Sequence, residues 1–327
     1  MLLLNKQEIK KVFSMKEAIE ADKEAFRIFS ENKSVVPLRT NIQSEKEEGS
    51  MLFMPGYIGE LDCAGIKIVS VFPGNSKKNL PVTPATMLLM DGTNGQVISV
   101  LDGTYVTQLR TGAASGAAFD LLAKKDAKIG ALIGAGGQAR TQLEAMLTAR
   151  ELEEVRVYDK FEEYAIKFVE DMQEEMKEYS AKIVFAKTAD EAIDNADLII
   201  TVTTANEPVF DGTKVKKGAT LSCVGSYQYH MQELDPVVLQ NASKIYFESQ
   251  DAVLSESGDI IKPLEQGLIK KEDFTGELGN VVNGTLVGRE NDDEIIVFKT
   301  VGISVQDIVT AQKIYDKAIQ EKVGLQW

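Results

Sequence analysis

Only one histidine, His230, and two cysteines, Cys63 and Cys223, occur in the 327 residues. No Cys/His cluster has the spacing that holds zinc, so no metal site is expected. A Ser-His-Asp mechanism would have to use His230, yet no GxSxG elbow presents a nucleophile. His230 lies in a loop, where an incidental histidine is the commoner case and a catalytic acid the rarer one. Both cysteines sit inside apolar, strand-like runs and read as small buried hydrophobes, not as a disulfide framework. No run approaches the roughly 20 apolar residues that span a bilayer. The leading MLLL is too short for a signal-peptide core, so a cytoplasmic location is expected. Positive charge is scarce as well: 36 Lys and Arg stand against 50 Asp and Glu, a formal net charge of −14. Nucleic acid and anionic membrane both require clustered cations, so neither is an expected partner. Any acid–base chemistry must come from Lys, Asp, Glu, Tyr or a cofactor.

The rest of the composition, 44% hydrophobic and 26% charged, is that of a globular chain long enough for two cores. Its first 120 or so residues read as α+β. Residues 15–30 carry apolar positions at helical spacing (Ala18, Ile19, Ala25, Phe26, Ile28). Strand-like runs follow at 51–54, 64–72, 86–90 and 96–101, with Asp-Gly and Asn-Gly between the last two, a strong hairpin signal. An antiparallel sheet is expected here. Beyond residue 125 short apolar runs alternate with helices: strands at 128–133, 154–158, 182–185, 198–202, 219–223 and 244–247, and helices at 138–147 and 161–179. That alternation indicates a doubly wound parallel sheet. A last helix is expected over 305–323.

The loop after the first parallel strand is GAGGQA, with Gly134, Gly136 and Ala139 at the GxGxxA spacing and Ala135, Gly137 and Gln138 between them. The three positions serve a tight turn, close backbone approach to a pyrophosphate, and tight helix–strand packing. Helix N–H groups then meet the phosphate. Taken alone the motif also fits an ordinary turn. Here a strand precedes it, a helix follows, and Asp159 closes the next strand, where a carboxylate binds ribose hydroxyls. A dinucleotide is the expected cofactor. Asp159 repels a 2′-phosphate and so favours NAD, while Lys160 beside it leaves NADP open. Thr203 and Thr204 follow the strand at 198–202, at the end that lines a ligand crevice in such sheets. Three cations stand in apolar surroundings: Arg39, Lys67 and Arg110. Each is costly there unless paired or functional, and each alone also fits a snorkelling or ion-paired structural residue.

Taken together, residues 35–39, 65–75, 110–115, 134–139, 232–236, 276–279 and 297–303 resemble, in order, the signatures of the ornithine cyclodeaminase/μ-crystallin family. The resemblance implies an α/β fold: a Rossmann domain, 123–302, inserted in an α+β substrate and dimerisation domain made of 1–122 and 303–327. It implies a homodimer and a small amino- or imino-acid substrate whose carboxylate is held by Arg39, Lys67 and Arg110, with Thr83 in the pocket. It places Thr300, Val301 and Gly302 against the nicotinamide and adds Thr111 and Gly225 to the cofactor set.

The chain departs from the family at one chemically decisive position. The aspartate that cyclodeaminases and related alanine dehydrogenases carry after the strand ending near Gly225 is Tyr227 here, and the following lysine is Met231. A tyrosine, with a pKa near ~10, is a poor base but a competent proton donor. A donor suits an imine that receives hydride. The expectation is therefore an NAD(P)H-dependent reductase of a cyclic 2-imino acid or an amino-acid dehydrogenase, with Lys67 and Tyr227 as catalytic residues. Two alternatives stay open: cyclodeamination of ornithine or lysine with NAD recycled and Glu277 replacing the aspartate, and a non-catalytic nucleotide-dependent binding protein.

Overall fold

The computed structural model describes residues 1–78 and 80–327. They form two compact units, Met1–Arg110 with Ile303–Trp327, and Thr111–Gly302. The second unit is thus inserted in the first, which is built from both chain ends. The first junction does not fall after residue 122, as expected from the sequence, but inside a helix, after Arg110. The reason is packing. The later half of that helix belongs to the second unit's core, where Phe119 is buried with Leu132 and Leu143 and Ser115 Oγ lies 2.8 Å from Ser222 Oγ.

The first unit contains β1 (Leu2–Leu4), α1 (Lys6–Val12), α2 (Met15–Ser30), β2 (Ser34–Val35), β3 (Thr40–Ser44), β4 (Gly49–Ile58), β5 (Cys63–Val71), β6 (Ala85–Asp91) and β7 (Val97–Asp102). Strands β3 to β7 form the expected antiparallel meander. The Asp-Gly turn after β6 is fixed by Asp91, whose carboxylate accepts from Thr93 N, and by Gly95, whose φ is +79°. One edge was not legible in the sequence: β1 pairs parallel to β7, and Leu325–Gln326 pairs antiparallel to β1. Helix α2 starts where a Ser14–Glu17 capping box satisfies its first amides. It packs beside the C-terminal helix, Ser304–Glu321, which also lies over β4, β5 and β6. Ser304 Oγ donates to Pro55 O at 2.8 Å, pinning that helix's first turn to β4.

The second unit takes up the later half of α3 (Gly103–Leu122) and runs through β8 (Ile129–Ile133), α4 (Ala139–Ala149), β9 (Glu154–Tyr158), α5 (Glu162–Glu175), β10 (Lys182–Phe185), β11 (Leu198–Thr201), β12 (Thr220–Cys223), β13 (Lys244–Phe247), β14 (Gly276–Glu277) and β15 (Ile296–Lys299). The sheet order is β10-β9-β8-β11-β12-β15-β13-β14, parallel throughout. Both faces are covered, as the alternation of a strand demands. Leu198 and Ile200 of β11 enter one core, while Ile199 enters the other. Strand β15 separates β12 from β13, so β13 extends the sheet one place further out than a simple chain-order reading allows. Cys63 and Cys223 are free and buried. No helix among the described residues is long and apolar enough to cross a membrane.

Candidate active site

In the first unit, two of the three cations are gathered on one carboxylate. Lys67 lies on the face of β5 that the C-terminal helix covers, and is 1% exposed. Its Nζ is 2.7 Å from Asp307 Oδ2 and donates to Oδ1 at 2.9 Å. Arg110, buried on α3, donates through Nε to the same Oδ1 at 3.0 Å. Asp307 is fully buried in the first turn of the C-terminal helix, where the helix dipole favours an anion. Its neighbour Gln306 extends the network. The Gln306 carboxamide oxygen accepts from Ile303 N at 3.0 Å, and its Nε2 donates to Asp22 on α2 at 3.0 Å.

Two cations therefore share one anion in a dry setting. Burial and the Arg110 charge draw the Lys67 ammonium down to about 7, against the pull of Asp307. Arg39, half-buried just before β3, lowers it further by its charge. Thr83 is exposed, two residues before β6, and among the described residues no hydrogen bond ties it to this cluster. Asp307, Gln306 and Asp22 carried no signal in the sequence beyond one rule: a buried cation needs a counter-charge from somewhere.

In the second unit, the glycine loop leaves β8 with Gly134 at φ +111°, a conformation that a side chain would strain. Gly134 N donates to Tyr158 O at 2.8 Å. Ala135 N donates to Asp159 Oδ2 at 2.8 Å, and Asp159 Oδ1 accepts from Phe161 N at 2.9 Å. Asp159 is thus held at the loop by backbone donors, with lone pairs left on both oxygens. Lys160 beside it is exposed. A β-carbon on Gly136 or Gly137 would meet only open space, and the buried Gln138 Oε1 has no hydrogen-bond partner among the described residues. Ala139 opens α4 directly behind. An open backbone cradle at a helix N-terminus, with an orphaned polar atom beside it and a carboxylate at the next strand, fits a dinucleotide. Thr111 is buried, and its carbonyl accepts from Gln142 of α4 at 2.9 Å.

The other strand ends are tied by acids to which the sequence reading gave no role. Glu233 is fully buried. Its Oε1 accepts from Thr203 N at 2.5 Å and its Oε2 from Gly225 N at 2.6 Å. Burial and the neighbouring Asp259 push the Glu233 carboxyl up to about 7. Asp259 Oδ2 in turn lies 3.2 Å from the buried Lys299 Nζ. Glu248, directly after β13, is buried and accepts from Thr300 Oγ1, from Val301 N at 2.5 Å and from Gly302 N at 2.5 Å. Thr204 is exposed beside Thr203.

Tyr227 stands two residues past Gly225, and burial alone pushes its phenol up. Among the described residues its hydroxyl makes no hydrogen bond. Met231 is 7% exposed. His230 is exposed, and its backbone carbonyl accepts from Lys262. Glu277 accepts from Gln250 N at 3.2 Å, at the first turn of helix Gln250–Glu256.

A parallel dinucleotide-type sheet inserted in a unit that buries a Lys–Asp–Arg cluster invites comparison with known proteins. The model of the ornithine cyclodeaminase/mu-crystallin family matches residues 1–322. The chain belongs to this family. It is 38% identical over 324 residues to a Delta(1)-pyrroline-2-carboxylate reductase of Bacillus cereus, covering 99% of this chain and 98% of that one. Among solved structures, Thermococcus litoralis Delta(1)-pyrroline-2-carboxylate reductase in complex with NADH and L-proline matches with a TM-score of 0.95 and 41% identity, over 100% of both chains. An archaeal alanine dehydrogenase dimer with bound NAD matches with a TM-score of 0.90 and 35% identity, over 99% of this chain and 98% of that one.

Proposed function

We propose that this chain is an NAD(P)H-dependent oxidoreductase that reduces a small cyclic 2-imino acid of the pyrroline-2-carboxylate type, with amino-acid oxidation as the reverse reaction. The observation that carries the reading is the pair of buried cations, Lys67 and Arg110, sharing the single carboxylate of Asp307. With Arg39, whose charge reaches Lys67, the cluster sets three cations against Asp307 and the buried Asp22, an excess of positive charge that a substrate carboxylate would neutralise. Its relatives support the reading: the Bacillus cereus protein is a reductase of this kind, and the Thermococcus litoralis structure holds NADH and L-proline.

Arg39 and Arg110 hold the carboxylate through planar, paired N–H donors and fix the imine carbon. Thr83 adds a hydroxyl to that pocket. When bound there, the coenzyme would supply the hydride that the imine carbon takes up. Lys67 gives the proton that the imine nitrogen needs, and its pKa near neutrality suits it to that exchange. Tyr227 contributes a neutral donor where cyclodeamination needs a carboxylate. On the cofactor side, residues 134–139 receive the pyrophosphate and Asp159 the ribose hydroxyls, which selects NADH over NADPH. Thr111, Thr203, Thr204 and Gly225 would line the dinucleotide, and residues 300–302 would hold its nicotinamide end. The archaeal alanine dehydrogenase is a dimer, and we read this chain as a homodimer too. Two unpaired thiols suit a cytoplasmic setting. The test is cofactor absorbance with a panel of cyclic and linear imino acids. Turnover is expected for the cyclic ones, and none across the panel with NADH bound would overturn the reading.

A further inference from the structure

We propose that Glu233 is a positioning residue of the dinucleotide site, one buried carboxylate that fixes the loops leaving β11 and β12 in a single register. The inference rests on the dinucleotide reading above. Thr203 and Gly225 each follow closely on a parallel strand end, where the ladder runs out of carbonyl acceptors and a buried amide is left to find its own partner. Glu233 supplies both partners, one oxygen to each loop, at 2.5 Å and 2.6 Å. It reaches Thr203 across 30 positions of sequence and Gly225 across 8, so neither bond is a local turn.

The arrangement has no slack. A β-carbon on Gly225 would strike Thr203 O and Glu233 Oε2, so the two loops and the carboxylate pack backbone against side chain with room for hydrogen only. The glutamate is itself held from behind. Asp259 Oδ1 accepts from Glu233 N at 2.7 Å and from Leu234 N at 3.0 Å, and Asp259 pairs with the buried Lys299. Lys299 is the last residue of β15, so the buttress comes from the strand whose continuation is Thr300, Val301 and Gly302. The two amides call for the ionised form, whose oxygens only accept, and Lys299 and the Thr203 amide favour that form against burial and Asp259. Glutamine has the same shape but turns an NH2 group toward one of the two amides.

A merely structural acid would stabilise the unit evenly; a positioning residue acts on the cofactor through those two loops. NADH titration by fluorescence, hydrogen exchange of the apo-proteins and thermal melts on the full-length parent, Glu233→Gln and Glu233→Asp separate the two. Glu233→Gln is expected to bind NADH about tenfold more weakly, on the order of one charge-assisted hydrogen bond. The KM for NADH rises to match, while kcat at saturating NADH changes by less than about threefold. Exchange quickens at 203–206 and 225–228 and stays unchanged in β8 and β9. Glu233→Asp, which keeps the anion on a shorter arm, recovers part of the affinity, and it carries the comparison if Glu233→Gln does not fold. Parent-like NADH affinity in Glu233→Gln overturns the proposal, as does exchange that rises evenly through the unit. A parent that binds no NADH overturns the dinucleotide reading instead; the exchange at 203–206 and 225–228 then decides the loop-holding role alone.

Discussion

Replacing Asp307 with asparagine keeps the side chain's shape and removes its charge, leaving Lys67 and Arg110 buried with no carboxylate between them. Removing one partner of a buried ion pair costs roughly 3–5 kcal/mol. Lys67 can relieve part of that by shedding its proton, which a guanidinium cannot do. Its pKa already stands at about 7 and Asp307 is the group that raises it, so in the variant it falls lower. Each unit of that fall is worth about 1.4 kcal/mol.

The sign follows from linkage. An unfolded lysine titrates near about 10.4, so between the folded and unfolded values the unfolded chain holds the extra proton, and stability grows with pH. In Asp307→Asn this window opens at lower pH than in the parent. The variant's deficit is therefore largest in acid, below pH about 6, and smallest above pH about 8, where both proteins carry a neutral Lys67. Parallel melts at those two pH values measure it. The kinetics should move with it. In the parent, kcat/KM for imine reduction is expected to decline as pH rises through about 7, where Lys67 loses its proton; in the variant the decline is expected to begin at lower pH. An equal deficit at both pH values, with an unmoved kinetic limb, would refute the argument that Asp307 is the counterion of Lys67.

Lys67→Met removes the proposed proton donor and is expected to lower kcat by a factor on the order of 10³, whereas Tyr227→Phe is expected to lower it by less than about tenfold; single-turnover rates at saturating substrate check the ranking. Asp159→Ser removes the anion proposed to meet the ribose and is expected to shift the NADPH-to-NADH ratio of kcat/KM upward by about tenfold, read from paired coenzyme titrations. Glu248→Gln weakens the hold on Val301 N and Gly302 N and is expected to cost about 2 kcal/mol of stability in denaturant melts, with weaker NADH binding alongside.

Much of the architecture is local and therefore readable. Helix α2 runs over Met15–Ser30, as its apolar spacing predicts, because a capping box and a one-sided apolar stripe both act within one or two turns. The β8–loop–α4 unit is readable for the same reason: a short buried strand, a glycine turn and a helix are contiguous. What escaped was set by distant packing. Strand β1 has three residues and acquires meaning through β7, nearly a hundred positions on, and through Leu325–Gln326 at the other end of the chain. Strand β15 inserts between β12 and β13 although it follows β13 in the chain. The same divide runs through the site. Lys67 and Arg110 stand out in the sequence as cations among apolar neighbours, but their counterion lies 240 and 197 positions away. Glu233 sits inside a motif that the sequence singles out, yet nothing local says that its oxygens close the loops at Thr203 and Gly225. An acid looks alike on the surface and in the core until the fold decides which amides it meets.

The most direct test of the reductase assignment is a stoichiometry. With Delta(1)-pyrroline-2-carboxylate as substrate, NADH consumed should equal L-proline formed, mole for mole, and ornithine should release no ammonia. Ammonia from ornithine with no net change in NADH, or no NADH oxidation with any cyclic imino acid, would contradict it.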